Sequence, residues 1–267
     1  MTSTWDGETT LDAFLGGRLE LKQPRRGYRA GVDPVLLSAA VPAKPGHSIL
    51  DLGCGVGAAL FCLGARIPGL DLTGVEKQTA YADLARDNAA RNGITARIAT
   101  ADLASLPDEI RQRRFDHVIA NPPYFDRAKG TAATGLREDA LGETLPLEVW
   151  VATGARRLMP RGRMSVIQKA DRLPELMTAM ASALGSLVIR PIQPRAGRDA
   201  ALVIVQGRKE GRSPARLVAP FVMHAGADHS DDCQDYTQNA EDVLRYGKNL
   251  FGDCVNLPFS DRIEKFI

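Results

Sequence analysis

Short apolar runs alternate with longer mixed stretches through the middle of the chain. Runs such as Asp71–Glu76 and Phe115–Ala120 predict buried strands, because they are short and rich in β-branched residues. The stretch from Ala58 to Ile67 ends at Pro68-Gly69, and the stretch from Ala80 to Asn92 ends at Gly93, so both predict helices. Strands that alternate with helices form a parallel sheet with right-handed crossovers, so an α/β fold is predicted.

The same signals predict the other elements. Further strands are expected over His47–Leu52, Ile94–Thr100, Arg163–Gln168, Leu187–Gln193 and Ala200–Gly207, the last two forming a hairpin at the sheet edge. Further helices are expected over Asp33–Val41, Pro146–Leu158, Leu173–Leu184 and Thr237–Tyr246. The polar, glycine-rich stretch Asp126–Leu145 is predicted to be a mobile lid.

Three segments are predicted. Residues 1–46 form an N-terminal extension with strand-like pieces and a helix, 47–207 form the core, and 208–267 form a C-terminal segment.

Composition narrows the class of protein. The chain has 267 residues, 44% hydrophobic content and a net charge of +2, which suffices for one sizeable core and excludes a polycation. No apolar run approaches the ~20 residues that a spanning helix needs, and the first residues are not of signal-peptide type. None of the four cysteines lies in a CxxC pair, so no metal site is expected, and Cys54 and Cys62 are predicted to stay reduced in the core. A soluble cytoplasmic protein is expected.

A glycine-rich turn follows the strand His47–Leu52. It contains Gly53, Gly55 and Gly57, and glycines let a backbone approach a ligand closely. A lone G-x-G-x-G is weak evidence, since structural turns imitate it. Asp51, just before the turn, would repel phosphate, so it disfavours a dinucleotide reductase and favours a cationic ligand.

Acidic and amide residues follow the neighbouring strands. Glu76, 19 residues after Gly57, can accept both hydroxyls of a ribose. Asp102 follows the third strand, where it either contacts an adenine amino group or caps a helix; we favour the contact. Ligands lie at the carboxyl ends of parallel strands, so a single site is predicted there. Its members are Asp51, Gly53, Glu76, Asp102 and Asn121.

The strand Phe115–Ala120 ends in Asn121-Pro122-Pro123-Tyr124. Two prolines predict a stiff, extended loop. The Asn121 side-chain oxygen and the Pro122 carbonyl, which is expected to be free of any strand pairing, offer two acceptors beside the flat face of Tyr124. This combination suits a planar group with an NH₂, such as adenine, cytosine or a glutamine amide. The alternative is a plain proline-rich turn.

Two groups of arginines could contact phosphate. Arg25, Arg26 and Arg29 cluster next to an aromatic residue, and Arg195 and Arg198 belong to a basic excess over 190–216. Solvated surface is an equal reading for the first group and the favoured one for the second.

Together these residues carry a resemblance. Asp51 to Gly57, Glu76, Asp102 and the Asn-Pro-Pro-Tyr loop resemble class I S-adenosylmethionine-dependent methyltransferases that modify amino groups, over residues 47–207. The resemblance implies a Rossmann-like, seven-stranded, mostly parallel sheet with an antiparallel edge hairpin and helices on both faces. The stretches Leu15–Leu19, Gly27–Arg29, Asp33–Leu37, Val222–His224 and Val243–Arg245 resemble the bacterial tRNA(Val) adenine-37 N6-methyltransferase family.

The resemblance implies roles for single residues. The glycine turn would hold the methionine part of S-adenosylmethionine, with Asp51 near its ammonium, and Gly31 and Asp33 would close over that end. Glu76 would bind the ribose hydroxyls and Asp102 the adenine amino group. Asn121, next to the cofactor, and the Pro122 carbonyl would accept the two N–H groups of the target amine, while Tyr124 would stack on the base and Pro123 would line its site.

The expected activity is methyl transfer to the N6 amine of an adenine in RNA, in a tRNA anticodon loop, with S-adenosylhomocysteine as the product. The main alternative is a protein glutamine N5-methyltransferase acting on a release factor or a similar protein. Such enzymes usually carry a helical domain before the glycine turn, whereas only 46 residues precede His47 here. A DNA adenine methyltransferase and a non-catalytic cofactor- or RNA-binding module are further alternatives.

Overall fold

The structure is a computed structural model that describes residues 8–124, 145–226 and 235–251. The predicted lid therefore lies outside the described residues, apart from Leu145.

Strands and helices alternate through the middle of the chain, as predicted. The strands are β1 (Thr9–Phe14), β2 (Leu19–Pro24), β3 (Ser48–Leu52), β4 (Asp71–Glu76), β5 (Ala96–Thr100), β6 (Phe115–Ala120), β7 (Leu158–Lys169), β8 (Gly185–Arg195), β9 (Leu202–Arg208), β10 (Arg216–Leu217) and β11 (Phe221–His224). The described α-helices are α1 (Asp33–Ala40), α2 (Ala58–Arg66), α3 (Thr79–Arg91), α4 (Asp108–Arg111), α5 (Leu147–Arg157), α6 (Leu173–Ala183) and α7 (Gln238–Tyr246).

One sheet of nine strands organises the described chain. Its order is β10-β8-β9-β7-β6-β3-β4-β5, and β11 also pairs with β8. Strands β3 to β7 are parallel, and β9 is antiparallel to both β7 and β8. The predicted fold class is confirmed. The predicted count of seven strands was low because β10 and β11, of two and four residues, are too short to show a periodic pattern.

Both faces of the sheet are covered by helices. Alternation along the strands sends Ile49 and Ile119 to one hydrophobic cluster and Leu50 and Val118 to the other. The first cluster includes residues of α1, α2, α3 and α7, and the second includes residues of α4, α5 and α6. This three-layer arrangement leaves the carboxyl edge of the sheet for a ligand.

The chain segments before and after residues 47–207 pack on the same core. The side chain of Asn88, on α3, accepts from the Lys22 N–H at 2.7 Å and donates to the Lys22 carbonyl at 3.1 Å, which docks β2 on α3. At the other end Thr237 caps α7, and Val243 joins the cluster that contains α1. Both segments therefore help to hold the N-terminal part of the chain near the sheet.

Cys54 and Cys62 are free and buried, which confirms the prediction of reduced core cysteines. Burial raises the pKa of the Cys62 thiol to about 12. Among the helices that the described ranges contain, none is both long and apolar enough to cross a bilayer.

Two histidine rings are in contact: His47 lies just before β3, and His117 lies within β6. Nδ1 of His47 lies 3.1 Å from Nε2 of His117, and it also accepts from the Lys44 N–H at 3.3 Å. Burial, and after it the neighbouring His47, lowers the pKa of His117 to about 4; Arg163 adds to this effect and Asp116 opposes it.

The neutral His117 predicts a loss of stability in acid. An unfolded histidine takes up a proton near pH 6.5, whereas folded His117 resists protonation until about pH 4. The unfolded state therefore binds more protons in this window, and the free energy of unfolding should fall by about 2 kcal/mol between pH 7 and pH 5. Urea unfolding at both pH values tests this, with His117→Asn as the matched variant. An equal pH dependence in the two proteins would contradict the assignment.

Candidate active site

The carboxyl ends of four parallel strands bring the predicted residues to one edge. Asp51 pairs in register with Gly74 of β4 and Ile119 of β6, so it lies between those strands. Glu76 ends β4, and Asn121 directly follows β6. The sequence prediction that these side chains share one edge is consistent with this register.

The turn after β3 requires its glycines. Gly53, Gly55 and Gly57 have φ values of 65°, 54° and 87°, a region that L side chains rarely adopt. A Cβ on Gly53 would lie 2.6 Å from Cη2 of Trp150. A Cβ on Gly57 would lie 2.1 Å from Cε2 of Phe61. The turn is therefore wedged between two buried rings.

Asp51 is buried with an unpartnered oxygen. It is 2% exposed, and its Oδ2 has no hydrogen-bond partner. Burial, and after it the Glu76 carboxylate, raises the pKa of Asp51 well above its usual value. A buried acceptor without a donor is costly, so this site is prepared for a cation or an N–H donor.

Glu76 braces the glycine turn. Its Oε2 accepts from the Gly55 N–H at 2.9 Å, and its Oε1 accepts from the Gln78 N–H at 2.8 Å. Burial raises the pKa of Glu76, and these two hydrogen bonds oppose the rise. A third backbone hydrogen bond, from Lys77, also lowers this pKa, and the carboxylate still has acceptor capacity for a further donor such as a hydroxyl.

Asp102 is engaged locally. Its Oδ1 accepts from the Ala104 N–H at 2.9 Å, and its Oδ2 pairs with Lys77 at 2.9 Å. The Ala104 N–H, followed by Lys77, lowers the pKa of Asp102. These bonds belong to a turn and not to the helix cap that was the alternative reading, since the next helix begins at Asp108. Contact with an adenine stays a prediction.

The loop after β6 is held from β7 and the turn beyond it. The Gln168 side chain, fully buried, donates to the Pro122 carbonyl at 3.4 Å. Arg172 donates to the Pro123 carbonyl at 3.2 Å and pairs with Glu175 at 2.6 Å. Pro122 lies outside any strand, so its carbonyl takes no part in strand pairing, but it accepts this side-chain hydrogen bond from Gln168 and keeps a second lone pair for a ligand.

Tyr124 connects this loop to the N-terminal segment. Its hydroxyl donates to the Asp33 carboxylate at the start of α1, and burial with this nearby charge raises its pKa. The Lys169 ammonium lies 6.0 Å from the ring centroid. Asp33 thus comes beside the predicted substrate residue, while Gly31 is exposed.

A pocket opens where these elements meet. Its lining includes Asp51, Gly53 and Val56 from the turn, Asn121, and Tyr28 from the N-terminal segment. The unpartnered Oδ2 of Asp51 suits the ammonium of a methionine group, and the glycine turn lets a ligand approach the backbone closely, so the residues present suit S-adenosylmethionine. In the described part of the chain, no three His, Cys, Asp or Glu side chains converge to hold a metal ion.

Sequence reasoning missed Tyr28, Gln168 and Arg172. Gln168 and Arg172 contact the loop after β6 from positions about 50 residues later, so no local pattern could reveal them. The signal for Tyr28 was its place among Arg25, Arg26 and Arg29. Phosphate contact and solvated surface were equal readings for these arginines, and no role was considered for the ring between them.

In the first arginine group, one side chain is held by close contacts within the protein. Arg29 pairs with Asp12 at 2.7 Å and donates to the Pro24 carbonyl at 3.2 Å. Arg26 lies 3.8 Å from Glu8 with both side chains mostly exposed, and Arg25 is exposed. Arg25 and Arg26 therefore keep the accessibility that a phosphate contact needs.

In the second arginine group, Arg195 is buried and Arg198 is exposed. Arg195 is 6% exposed, pairs with Asp235 at 2.6 Å and donates to the Ala225 carbonyl. Its guanidinium ties β8 to the chain around β11, which argues against the predicted contact with phosphate. Arg198 is exposed on the turn before β9, and its predicted role stays a prediction.

Comparison with known proteins agrees with this geometry. The family model for the methyltransferase small domain matches residues 31–185. A tRNA1(Val) (adenine(37)-N6)-methyltransferase from Porphyromonas gingivalis is 35% identical over 62% of this chain and 68% of that protein. A protein of the same name from Dickeya chrysanthemi is 30% identical over 73% of this chain and 78% of its own.

Solved structures share the fold. A predicted O-methyltransferase from Agrobacterium tumefaciens superposes with a TM-score of 0.64 at 28% identity, over 81% of this chain and 96% of its own. A 16S rRNA N2 G1207 methyltransferase of T. Thermophilus gives 0.55 at 20% identity, over 76% and 50%, which supports the fold alone. The chain belongs to the S-adenosylmethionine-dependent methyltransferases of the small-domain family and, within them, to the tRNA1(Val) (adenine(37)-N6)-methyltransferase family.

Proposed function

We propose that this protein transfers a methyl group from S-adenosylmethionine to the N6 amine of adenine 37 in a valine tRNA. The observation that carries the proposal is the position of Asn121-Pro122-Pro123-Tyr124. This loop leaves β6 beside the pocket lined by Asp51 and Gly53, so an amine acceptor pair and a cofactor cradle adjoin. The relatives' names supply the substrate and the position.

The cofactor would lie along the carboxyl edge. Asp51 would hold its ammonium, and the Gly53–Gly57 turn would hold its methionine part. Glu76 would bind its ribose. Asp102 would bind its adenine amino group once one of the local contacts of Asp102, to Ala104 or Lys77, gives way. When bound, S-adenosylmethionine supplies a methyl group on a sulfonium sulfur.

The protein's part in the reaction is to prepare the amine. The exocyclic nitrogen of adenine is a weak nucleophile because its lone pair is delocalised into the ring. Acceptance of its two N–H groups by Asn121 Oδ1 and the Pro122 carbonyl would draw the nitrogen toward tetrahedral geometry and stabilise its developing positive charge. The buried Gln168 would keep the Pro122 carbonyl in place for this task.

The RNA would contact the same rim. Tyr124, held by Asp33, would stack on an unpaired purine, which is less costly to extract than a paired base. Arg25 and Arg26 are exposed on the loop that carries Tyr28, and they would meet backbone phosphates. Cytoplasmic location accords with a tRNA substrate.

The test is labelled methyl transfer from S-adenosylmethionine to a transcribed valine tRNA, followed by nucleoside analysis. We expect N6-methyladenosine from the natural transcript and none from a transcript with guanine at position 37. Duplex DNA and a cell protein extract are the parallel acceptors. Label found only in protein would transfer the assignment to glutamine methylation, and label found only in DNA would also reject the proposal.

Cofactor binding should release a proton from Asp51. Burial raises the pKa of Asp51 in the free protein, and a bound ammonium would lower it again. Titration calorimetry in two buffers of different ionisation enthalpy should therefore show proton release that grows as the pH falls, together with weaker binding.

Asp51→Asn is the variant for this prediction, because it keeps the size of the side chain and removes its charge. It should bind the cofactor more weakly and release fewer protons. Glu76→Gln is the control for the second buried carboxylate. Proton release that persists in Asp51→Asn and disappears in Glu76→Gln would assign the titration to Glu76.

A further inference from the structure

Tyr28 touches the residue on which the proposed chemistry depends. The Asn121 Nδ2 group donates to the Tyr28 hydroxyl at 3.2 Å, across 93 positions of sequence. The Tyr28 ring lies 3.9 Å from the position that a Cβ on Gly55 would take, so it spans from the glycine turn to Asn121.

The orientation of an asparagine amide decides what it can do. Its two ends differ, since one is an acceptor and the other is a double donor, and a half-turn about the last bond exchanges them. If the NH₂ faced the target amine, two donors would meet and the acceptor would be lost. An acceptor that binds the Asn121 NH₂ therefore selects the orientation in which Oδ1 is available to the amine.

The Tyr28 hydroxyl is suited to act as that acceptor. Desolvation of the hydroxyl by the protein around it, and after it the negative charges of Asp33 and Asp51, raises the pKa of Tyr28. Negative charge nearby favours a hydroxyl hydrogen turned toward it, and this orientation would leave the oxygen lone pair for Asn121. A tyrosine on the far side of the pocket can thus fix the amide without a charge of its own.

The backbone of Tyr28 is also fixed. The Tyr81 hydroxyl accepts from the Tyr28 N–H at 2.9 Å and donates to the Tyr28 carbonyl at 3.2 Å. The backbone of Ala30, two residues after Tyr28, makes two hydrogen bonds with the buried Gln23 side chain, at 2.7 and 3.1 Å. The hydroxyl therefore stands on a braced loop, although the residue is 43% exposed.

We propose that Tyr28 is a positioning residue whose hydroxyl holds the Asn121 amide with its oxygen toward the target amine. The proposal rests on the proposed adenine N6 methylation. Loss of the Tyr28 hydroxyl should therefore lower the rate of methyl transfer and change the affinity for S-adenosylmethionine little.

Tyr28→Phe removes the hydroxyl and keeps the ring. We expect kcat for tRNA methylation to fall about tenfold, which corresponds to ~1.4 kcal/mol, with the calorimetric Kd for S-adenosylmethionine changed less than about twofold. Tyr246→Phe, a hydroxyl deletion on the exposed end of α7, should keep the wild-type kcat. A wild-type kcat in Tyr28→Phe would overturn the proposal, and if Tyr28→Ala then raised only the KM for tRNA, the ring would be a stacking surface.

Asn121→Asp separates orientation from general damage to the site. A carboxylate has two equal acceptor oxygens, so its rotation cannot remove the acceptor. In this background Tyr28→Phe should lower kcat less than about twofold. A tenfold loss in both backgrounds would show that Tyr28 acts by some route other than orienting the amide.

Nuclear magnetic resonance supplies a readout that needs no turnover. The side-chain NH₂ signals of Asn121 are assigned by their loss in Asn121→Asp, and in Tyr28→Phe they should shift and exchange faster with water. Unchanged signals would overturn the proposal even if Asn121→Asp were inactive. If the wild-type enzyme methylated no adenine, the proposed function would fail, while these signals would still report on the hydrogen bond.

Discussion

Replacement of Asn121 by alanine is expected to lower kcat for adenine methylation about 100- to 1,000-fold. The variant loses the acceptor that stabilises charge on the amine, and removal of one such preorganised group typically costs this much. The affinity for S-adenosylmethionine should change far less, because the ammonium and ribose partners proposed for it, Asp51 and Glu76, are untouched. Single-turnover rates and calorimetry measure the two effects separately.

Two comparisons sharpen this result. Asn121→Asp keeps an acceptor at the same place and should retain more activity than Asn121→Ala. Equal losses of rate and cofactor affinity in Asn121→Ala would contradict a role in the transfer step and would place Asn121 in cofactor binding alone.

Replacement of Gly57 by alanine should destabilise the protein by about 3 kcal/mol or more. The new Cβ would overlap the Phe61 ring, which is fully buried and cannot withdraw into solvent, and the residue would keep a φ of 87°. Cofactor binding should be lost together with the shape of the turn. Urea unfolding gives the first effect and calorimetry the second.

Gly46→Ala is the matched control for Gly57→Ala. Gly46 has nearly the same φ, 86°, but no heavy atom lies within 4 Å of its added Cβ. It should cost only the backbone strain, about 1–2 kcal/mol, and leave cofactor affinity unchanged. If the two variants lost the same stability, the contact with Phe61 would not be the cause.

Much of this fold follows from local pattern. The strand that ends at Ala120 and the helix that follows Gly57 have boundaries close to those predicted, because proline and glycine act within a few residues of their own position. Since the carboxyl ends of parallel strands meet at one edge of the sheet, the predicted strand ends were sufficient to predict that Asp51, Glu76 and Asn121 lie together.

Contacts between distant side chains were beyond the sequence. Neither the donation from Gln168 to the Pro122 carbonyl nor that from Asn121 to Tyr28 follows from a periodic pattern, since each depends on the relative placement of two elements. A count of charges along the sequence also does not show which charged side chains are buried. It grouped Arg195 with exposed arginines, although Asp235 and the backbone near Gly226 already satisfy Arg195.

The unpartnered oxygen of Asp51 also bears on how such a sequence persists. Most mutations that favour folding alone would replace a buried, unsatisfied carboxylate by an amide or an apolar side chain, and a lineage without use for the ligand would drift that way. Selection for stability and selection for activity therefore oppose each other at this position. If Asp51 holds the cofactor ammonium as proposed, its unpartnered oxygen is a cost in stability that ligand binding offsets.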